Sequence, residues 1–194
     1  MTGVQTCALP IFDLPELNLN NQESEAQVEN NGHTIEVSFK NPKNTLTIGD
    51  DVYKLQQFHF HAPSENEIDG QTYPLEGHFV YKTDNGKITV ISVLYNYGDE
   101  NQALKQIWDK MPQAANTETE LSQPISLDDF YPEDKDYYNF EGSLTTPPCT
   151  EGVNWIVFKN QETVSKEQVE KFTQTLGFEN NRPIQDTNGR QIKE

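Results

Sequence analysis

Residues 57–61 read Gln-Phe-His-Phe-His, an alternation of phenylalanine with histidine and glutamine that is typical of a β-strand. Successive side chains of a β-strand point to opposite faces, so His59 and His61 share one face with Gln57. Phe58 and Phe60 point to the other face, where a hydrophobic core can receive them. The segment therefore predicts a strand that is polar on one face and buried on the other.

The segments around this strand also favour a mostly β protein. Alternating or β-branched runs predict further strands at residues 34–39, 45–48, 78–82, 88–95, 137–144 and 154–159. Asp69-Gly70 and Asn85-Gly86 predict tight hairpin turns. Apolar residues at helical spacing predict helices only at residues 99–111 and 165–176.

The first residues do not share this pattern. Residues 1–11 (MTGVQTCALPI) have neither strand alternation nor helical periodicity. They also lack the basic region and long apolar run of a secretory signal. We interpret residues 1–11 as a non-native-looking or disordered leader and residues 12–194 as a single domain.

The composition indicates an acidic globular chain. Its 194 residues carry 14 Lys plus Arg against 31 Asp plus Glu, a net charge of −17. Nucleic acids and anionic membrane surfaces bind basic patches, so we expect neither as a partner. No apolar run approaches the roughly 20 residues of a transmembrane helix. Two cysteines, Cys7 and Cys149, allow at most one disulfide and do not form a cysteine-based zinc site.

Three of the four histidines can meet at one point. His59 and His61 share a strand face, and His78 lies on what should be the neighbouring strand. Three imidazoles with an open fourth position are typical of a catalytic zinc site. Gln57 and Glu76 each precede a histidine by two residues on the same face, where they can accept the other ring N–H. A pair of unrelated surface histidines would explain His59 and His61 alone, but not the whole set.

In this order, the motifs resemble the α-class carbonic anhydrases, and most closely their bacterial, exported branch. The resemblance rests on residues 57–66, 76–78 and 142–155, with 30–33 and 181–183 as further matching segments, and extends from residue 13 to the end. It implies a large, twisted, mainly antiparallel sheet of about ten strands with a few peripheral helices. The implied activity is the zinc-dependent, reversible hydration of carbon dioxide to bicarbonate and a proton.

The same resemblance implies roles for individual residues. His59, His61 and His78 would bind Zn²⁺, supported by Gln57 and Glu76. His33 would be the proton shuttle. Thr145 would hold the attacking hydroxide through its hydroxyl, and Glu65 would accept the hydrogen bond that this hydroxyl donates. In the substrate pocket, Thr146 would contact the bicarbonate anion. The apolar wall would consist of Val80, Val90, Leu144, Val153 and Trp155.

The resemblance also implies partners and a location. Carbon dioxide and bicarbonate would be the substrates, and sulfonamides and anions the inhibitors. It implies a periplasmic or secreted enzyme and allows a homodimer.

The sequence departs from the family pattern in two ways that bear on the site. The family segment that precedes residue 13 is not recognisable, and in the bacterial branch the cysteine matching Cys149 pairs with a cysteine of that segment. We therefore expect Cys149 to be a free thiol, or to form an intermolecular disulfide during storage. In addition, Glu36 stands where Asn or Gln is more usual on the cavity wall.

Two alternative functions remain open at this point. An impaired or inactive carbonic-anhydrase-like zinc-binding module would keep the fold without turnover. A cupin-type metalloenzyme, with iron or manganese, would use His59, His61 and Glu65 in the opening of its metal motif. The glycine and asparagine that a cupin motif needs further along are missing.

Overall fold

A computed structural model describes residues 14–40 and 43–194 of the chain. The interpreted leader, residues 1–11, and the start of the domain at residue 12 lie outside this range. So does Cys7. Across the described residues, no helix is long and apolar enough to span a membrane.

The described residues form one sheet of eleven strands. In chain order the strands are β1 (Asn18–Asn20), β2 (Ala26–Asn30), β3 (Ile35–Phe39), β4 (Thr45–Ile48), β5 (Asp51–His61), β6 (Leu75–Lys82), β7 (Ile88–Tyr97), β8 (Thr117–Glu120), β9 (Tyr137–Ser143), β10 (Glu151–Phe158) and β11 (Glu162–Val164). The helices are α1 (Gln102–Trp108), α2 (Lys166–Leu176) and a 3₁₀ helix (Leu127–Phe130).

The main path through the sheet is β8-β2-β3-β5-β6-β7-β10-β9, with β4 beside β5, β1 beside β4 and β11 beside β7. Among the described residues, β7 pairs in parallel with β10 and β11, and the other strand pairs are antiparallel. This architecture confirms the expected mostly β fold, a mainly antiparallel sheet with a few helices outside it.

The alternation in β5 has the predicted effect on packing. Phe58 and Phe60 are fully buried, and the ring of Phe58 stacks on Phe79 of β6 at a centroid distance of 4.9 Å. Phe60 packs edge-on against Trp108 of α1 at 4.9 Å. Aromatic rings bury large apolar areas and prefer such offset or edge-to-face contacts. The core therefore lies on the side of the sheet that the phenylalanines face, and the histidines occupy the opposite side.

Both predicted hairpin turns are present, and they fix which residues of the central strands are neighbours. Asn85-Gly86 joins β6 to β7, and Gly86 adopts φ of +92°, a backbone conformation that costs glycine little. The turn sets the register in which His78 pairs with Ser92. Asp69-Gly70 lies between β5 and β6, which pair so that His59 is opposite His78.

The two α-helices pack on each other at the edge of the core. Trp108 of α1 stacks on Phe172 of α2, and its Nε1 donates to the Gln168 carbonyl at 2.8 Å. Ser165 and Gln168 form the capping box of α2 that the sequence indicates. The two helices therefore pack against the core side of the sheet, the side that Phe60 faces.

Candidate metal centre

Three histidines converge on the polar side of the central strands. The strand register puts His59 directly opposite His78, and His61 follows on the same face of β5. Ring centroids are 5.0 Å apart for His59–His61, 5.4 Å for His59–His78 and 4.6 Å for His61–His78. One ring nitrogen from each lies within 4.8 Å of the others. In the part of the chain that the structure describes, this is the only such cluster of metal-ligating groups.

The second nitrogen of each ring is held by a hydrogen-bond partner. His59 Nδ1 lies 2.8 Å from Gln57 Oε1, and His78 Nε2 lies 2.9 Å from Glu76 Oε1. His61 Nδ1 lies 3.1 Å from the carbonyl oxygen of Asn180. Such partners fix the tautomer and the orientation of a ligating histidine. His59 Nε2, His61 Nε2 and His78 Nδ1 are therefore the nitrogens left for a metal ion.

The donor set fits zinc. His61 Nε2 is buried and has no hydrogen-bond partner among the described residues, which is costly unless another group satisfies it. Three imidazole nitrogens with room for a fourth ligand match the usual composition of a catalytic zinc site. A structural zinc site would supply a fourth protein ligand, and the cluster contains none.

Burial keeps two of the rings in the state that binds metal. Burial, together with the neighbouring histidines, holds the pKa of His59 well below its usual value and lowers that of His61 to about 3. Both rings are thus neutral at pH 7, as a metal ligand must be. His78 differs, because the Glu76 carboxylate outweighs burial and raises the pKa of this ring.

Glu76 is a fully buried carboxylate at the centre of a hydrogen-bond network. Burial alone would raise its pKa, but the charge of His78 and hydrogen bonds from His78, Ser92 and Asn66 lower the pKa to about 2. A carboxylate that accepts several hydrogen bonds stays ionised even in the interior. Glu76 is therefore an anion that faces His78 at all ordinary pH values.

Glu65 lies beside the histidines with its carboxylate buried. Its side chain is only 4% exposed, and its Oε1 accepts a hydrogen bond from the Arg182 backbone N–H at 2.6 Å. Burial raises the pKa of Glu65, whereas His78, the Thr145 hydroxyl and the Arg182 N–H oppose that rise. Among the described residues, no donor meets hydrogen-bond geometry at Glu65 Oε2, which lies 3.9 Å from His78 Nδ1. The structure thus brings Glu65, Thr145 and His78 together.

The residues expected to form an apolar wall make one cluster, separate from the main core. Val90, Val153 and Trp155 are buried there, and Val80 and Leu144 pack against them. The Trp155 ring stands edge-on to His78 at 4.9 Å. Ile88 and Phe140 belong to the same cluster and were not predicted. An apolar surface therefore borders the histidines directly.

Three further predicted or discussed residues lie at the surface or near it. His33 is exposed, and the Asn31 side chain accepts hydrogen bonds from the His33 and Thr34 backbone N–H groups at 3.0 and 2.9 Å. Thr146 is exposed in the turn that follows β9. Cys149 is half-buried and has no disulfide partner among the described residues. The possible Cys7 pairing lies outside the described residues.

Sequence reasoning missed Asn180, which ties three parts of the site together. Its carbonyl accepts from His61, while its side chain donates to the Phe60 carbonyl at 2.9 Å and to the His33 carbonyl at 3.1 Å. The Ala62 N–H donates to the same side chain at 3.0 Å. Every residue type has a backbone carbonyl, so the sequence does not show which one accepts a hydrogen bond from His61. The matching segment at 181–183 was the only signal near Asn180.

Comparisons with known proteins agree with this geometry. The family model described as eukaryotic-type carbonic anhydrase matches residues 5–194. A carbonic anhydrase of Neisseria gonorrhoeae is 48% identical over 181 residues, which are 93% of this chain and 71% of that protein. One from Pectobacterium carotovorum is 46% identical over 91% of this chain and 72% of that protein. The α-carbonic anhydrase of Thermovibrio ammonificans, solved with the inhibitor sulfanilamide, superposes with a TM-score of 0.90 at 42% identity, over 93% of this chain and 80% of that one.

Proposed function

Because the chain belongs to the eukaryotic-type carbonic anhydrase family, whose reaction is the reversible hydration of carbon dioxide to bicarbonate and a proton, we propose that His59, His61 and His78 hold a catalytic Zn²⁺. The convergence of three ring nitrogens, each ring anchored at its other nitrogen, carries this proposal. When bound, zinc supplies a Lewis acid that brings the pKa of a water to about 7, an established property of carbonic anhydrases.

Thr145 and Glu65 form the polar side of the reaction centre. A threonine hydroxyl can donate one hydrogen bond and accept two. When it donates to the carboxylate of Glu65, its oxygen is left to accept, so Thr145 would accept a hydrogen bond from the hydroxide that attacks carbon dioxide and would orient it. Glu65 is suited to this role because the Arg182 N–H holds Oε1 and leaves Oε2 without another regular partner.

The apolar cluster is the place for carbon dioxide. This substrate has no strong hydrogen-bonding group, so binding needs an apolar surface next to the metal. Val80, Val90, Leu144, Val153 and Trp155 supply that surface, and the contact of Trp155 with His78 brings it up to the ligand set. Thr146, at the exposed end of the turn, would contact bicarbonate as it leaves.

His33 completes the cycle by carrying a proton to buffer. A histidine ring can both accept and release a proton, which is what a shuttle requires. The exposed side chain of His33 can reach buffer, and its backbone is held by Asn31 and Asn180. These contacts support the role of proton shuttle.

Inhibitors and location follow by analogy with relatives. The sulfanilamide complex of the Thermovibrio protein supports sulfonamides as inhibitors, and anions should compete for the same metal position. Export to the periplasm or the medium is the analogous expectation from the bacterial branch. The homodimer stays a prediction, which light scattering can check.

Membership in the family excludes the cupin alternative. An inactive relative is disfavoured because all three histidines and their partners are in place. The deciding measurement is zinc content together with acetazolamide-sensitive carbon dioxide hydration. We expect about one zinc per chain and inhibitable activity.

Two variants test the ligand assignment. His61→Ala should lose most of the metal and the activity, whereas Gln57→Ala should weaken metal binding by only about 10–100-fold. Full zinc retention in His61→Ala would refute the assignment. Metal without inhibitable hydration in the parent protein would favour the inactive alternative.

A further inference from the structure

Ser92 lies in the middle of β7, where the sequence gives no sign of a function. It is fully buried, and the strand register places it directly opposite His78. Its hydroxyl donates to Glu76 Oε1 at 2.5 Å. Ser92 therefore contacts the carboxylate that holds His78, without reaching the metal centre itself.

The Glu76 carboxylate accepts five hydrogen bonds. Oε1 receives His78 Nε2 at 2.9 Å, Asn66 Nδ2 at 2.6 Å and the Ser92 hydroxyl. Oε2 receives the backbone N–H groups of Glu65 at 2.6 Å and Asn66 at 2.9 Å. Apart from His78 and Ser92, all of these donors belong to residues 65–66.

Residues 65–66 lie in the irregular segment after β5, whereas Ser92 lies on a central strand paired on both sides. Within the described residues, Ser92 is thus the only partner, besides His78, that joins the carboxylate to the sheet. Loops open at a lower free-energy cost than central strands. Without the Ser92 hydroxyl, the carboxylate would follow the movements of residues 65–66 away from His78.

We propose that Ser92 is a positioning residue of the metal centre, whose hydroxyl holds Glu76 against His78 and thereby slows release of the metal. The inference rests on the proposed metal site and adds a residue to it. The effect should be smaller than the loss of Glu76 itself. We expect release to be about 3–10-fold faster, at or below the lower end of the range for removing a histidine's partner.

The test compares Ser92→Ala with the parent protein after loading each with Co²⁺, whose visible spectrum reports ligand geometry. Metal release into excess chelator gives the dissociation rate. Ser92→Ala should release Co²⁺ about 3–10-fold faster and show an altered spectrum. If the alanine variant is not recovered folded, Ser92→Gly removes the same hydroxyl.

Thr89→Val is the matched control. Thr89 is also a fully buried hydroxyl residue of β7, but its hydroxyl accepts from Asn154 at 3.3 Å and is not a partner of Glu76. We expect parental release and spectrum in Thr89→Val.

Parental release and spectrum in Ser92→Ala would overturn the inference, and so would an equal acceleration in Thr89→Val. Failure of the parent protein to bind Co²⁺ or Zn²⁺ would instead overturn the proposed function.

Discussion

Glu36 is a partly buried carboxylate on the polar side of the sheet. The register places it opposite His59 on one side and Glu29 on the other. Burial, and secondarily the charge of Glu29, raise the pKa of Glu36. Two carboxylates directly opposite each other on neighbouring strands destabilise a sheet.

Replacing Glu36 by glutamine should stabilise the fold at neutral pH. Because the pKa of Glu36 is raised in the folded state, its ionised form costs stability above that pKa, and the cost disappears as pH falls below the unfolded value near 4.5. We expect Glu36→Gln to raise the free energy of unfolding by about 0.5 kcal/mol at pH 7 and to have little effect near pH 4.

Urea unfolding of the metal-free proteins at the two pH values measures this difference. Glu23→Gln is the control, because Glu23 is exposed and should respond little at either pH. A gain in Glu36→Gln that is the same at pH 4 and pH 7 would contradict the electrostatic explanation.

Gly142 allows the Trp155 ring to lie where it meets His78. A Cβ at residue 142 would come within 2.9 Å of Trp155 Cδ1 and 3.2 Å of Phe140 Cε2. Overpacking of this kind typically costs about 1–3 kcal/mol. Gly142→Ala should therefore lower stability by that amount and reduce carbon dioxide hydration, because the wall shifts.

Glu141→Ala, on the exposed side of the same strand, is the comparison for this effect. In chemical denaturation and carbon dioxide hydration assays, Glu141→Ala should have nearly the stability and activity of the parent protein. If Gly142→Ala matched it in both, Trp155 would not depend on the glycine.

The site residues that lie on the same face of one strand were predictable, because their spacing of two residues shows that they share a face. His59, His61 and Gln57 share a face by simple alternation, and Glu76 and His78 do so on the next strand. Asn180, Ser92 and Asn66 could not be found in this way. They reach the site through long-range hydrogen bonds, and nothing in their own segments indicates the partner.

At the scale of elements, strands with strong alternation were predictable and short strands were not. β8 reads Thr-Glu-Thr-Glu and is exposed throughout, and β2 has only Ala26 and Val28 as buried apolar residues. Pairing with neighbours, rather than their own composition, makes such segments strands. Helix α1 is also shorter than the predicted 99–111, because Asn101 caps it and it ends at Trp108.

Besides its part in the capping box of α2, the Gln168 side chain binds the backbone of Asn101, the residue that caps α1. Its side chain accepts from the Asn101 N–H at 2.9 Å and donates to the Asn101 carbonyl at 2.8 Å. Ser165→Ala removes only the cap and should cost about 1 kcal/mol. Gln168→Ala should cost about 2–3 kcal/mol, because it also leaves the backbone N–H groups of Asn101 and Ser165 without the side-chain oxygen that accepts from both.

Thermal or urea unfolding of Ser165→Ala and Gln168→Ala measures which of the two loses more stability. Glu170→Ala, exposed on the same helix, is the control for side-chain removal. A Gln168→Ala cost no larger than that of Ser165→Ala would contradict the proposed link between the helices.

At the scale of the whole molecule, metal binding should stabilise the sheet, because the ligands come from its central strands β5 and β6. A ligand that binds only the folded state at 100 times its Kd adds about 2.7 kcal/mol. Removing the metal with a chelator should therefore lower the Tm, and returning Zn²⁺ should restore it. His61→Ala should give the same Tm with and without Zn²⁺, and an equally zinc-dependent Tm in that variant would point to a different site.

The edge strand β8 bears on how the protein behaves in concentrated solution. Glu118 and Glu120 stand on this exposed strand, which pairs only with β2 among the described residues. Open strand edges invite pairing between molecules, and charged side chains prevent it. Acidification towards the isoelectric point near 4.5 removes the overall charge repulsion between molecules. Colloidal association should then set in while the protein is still folded, and light scattering during a pH titration should rise before the fluorescence of its tryptophans changes.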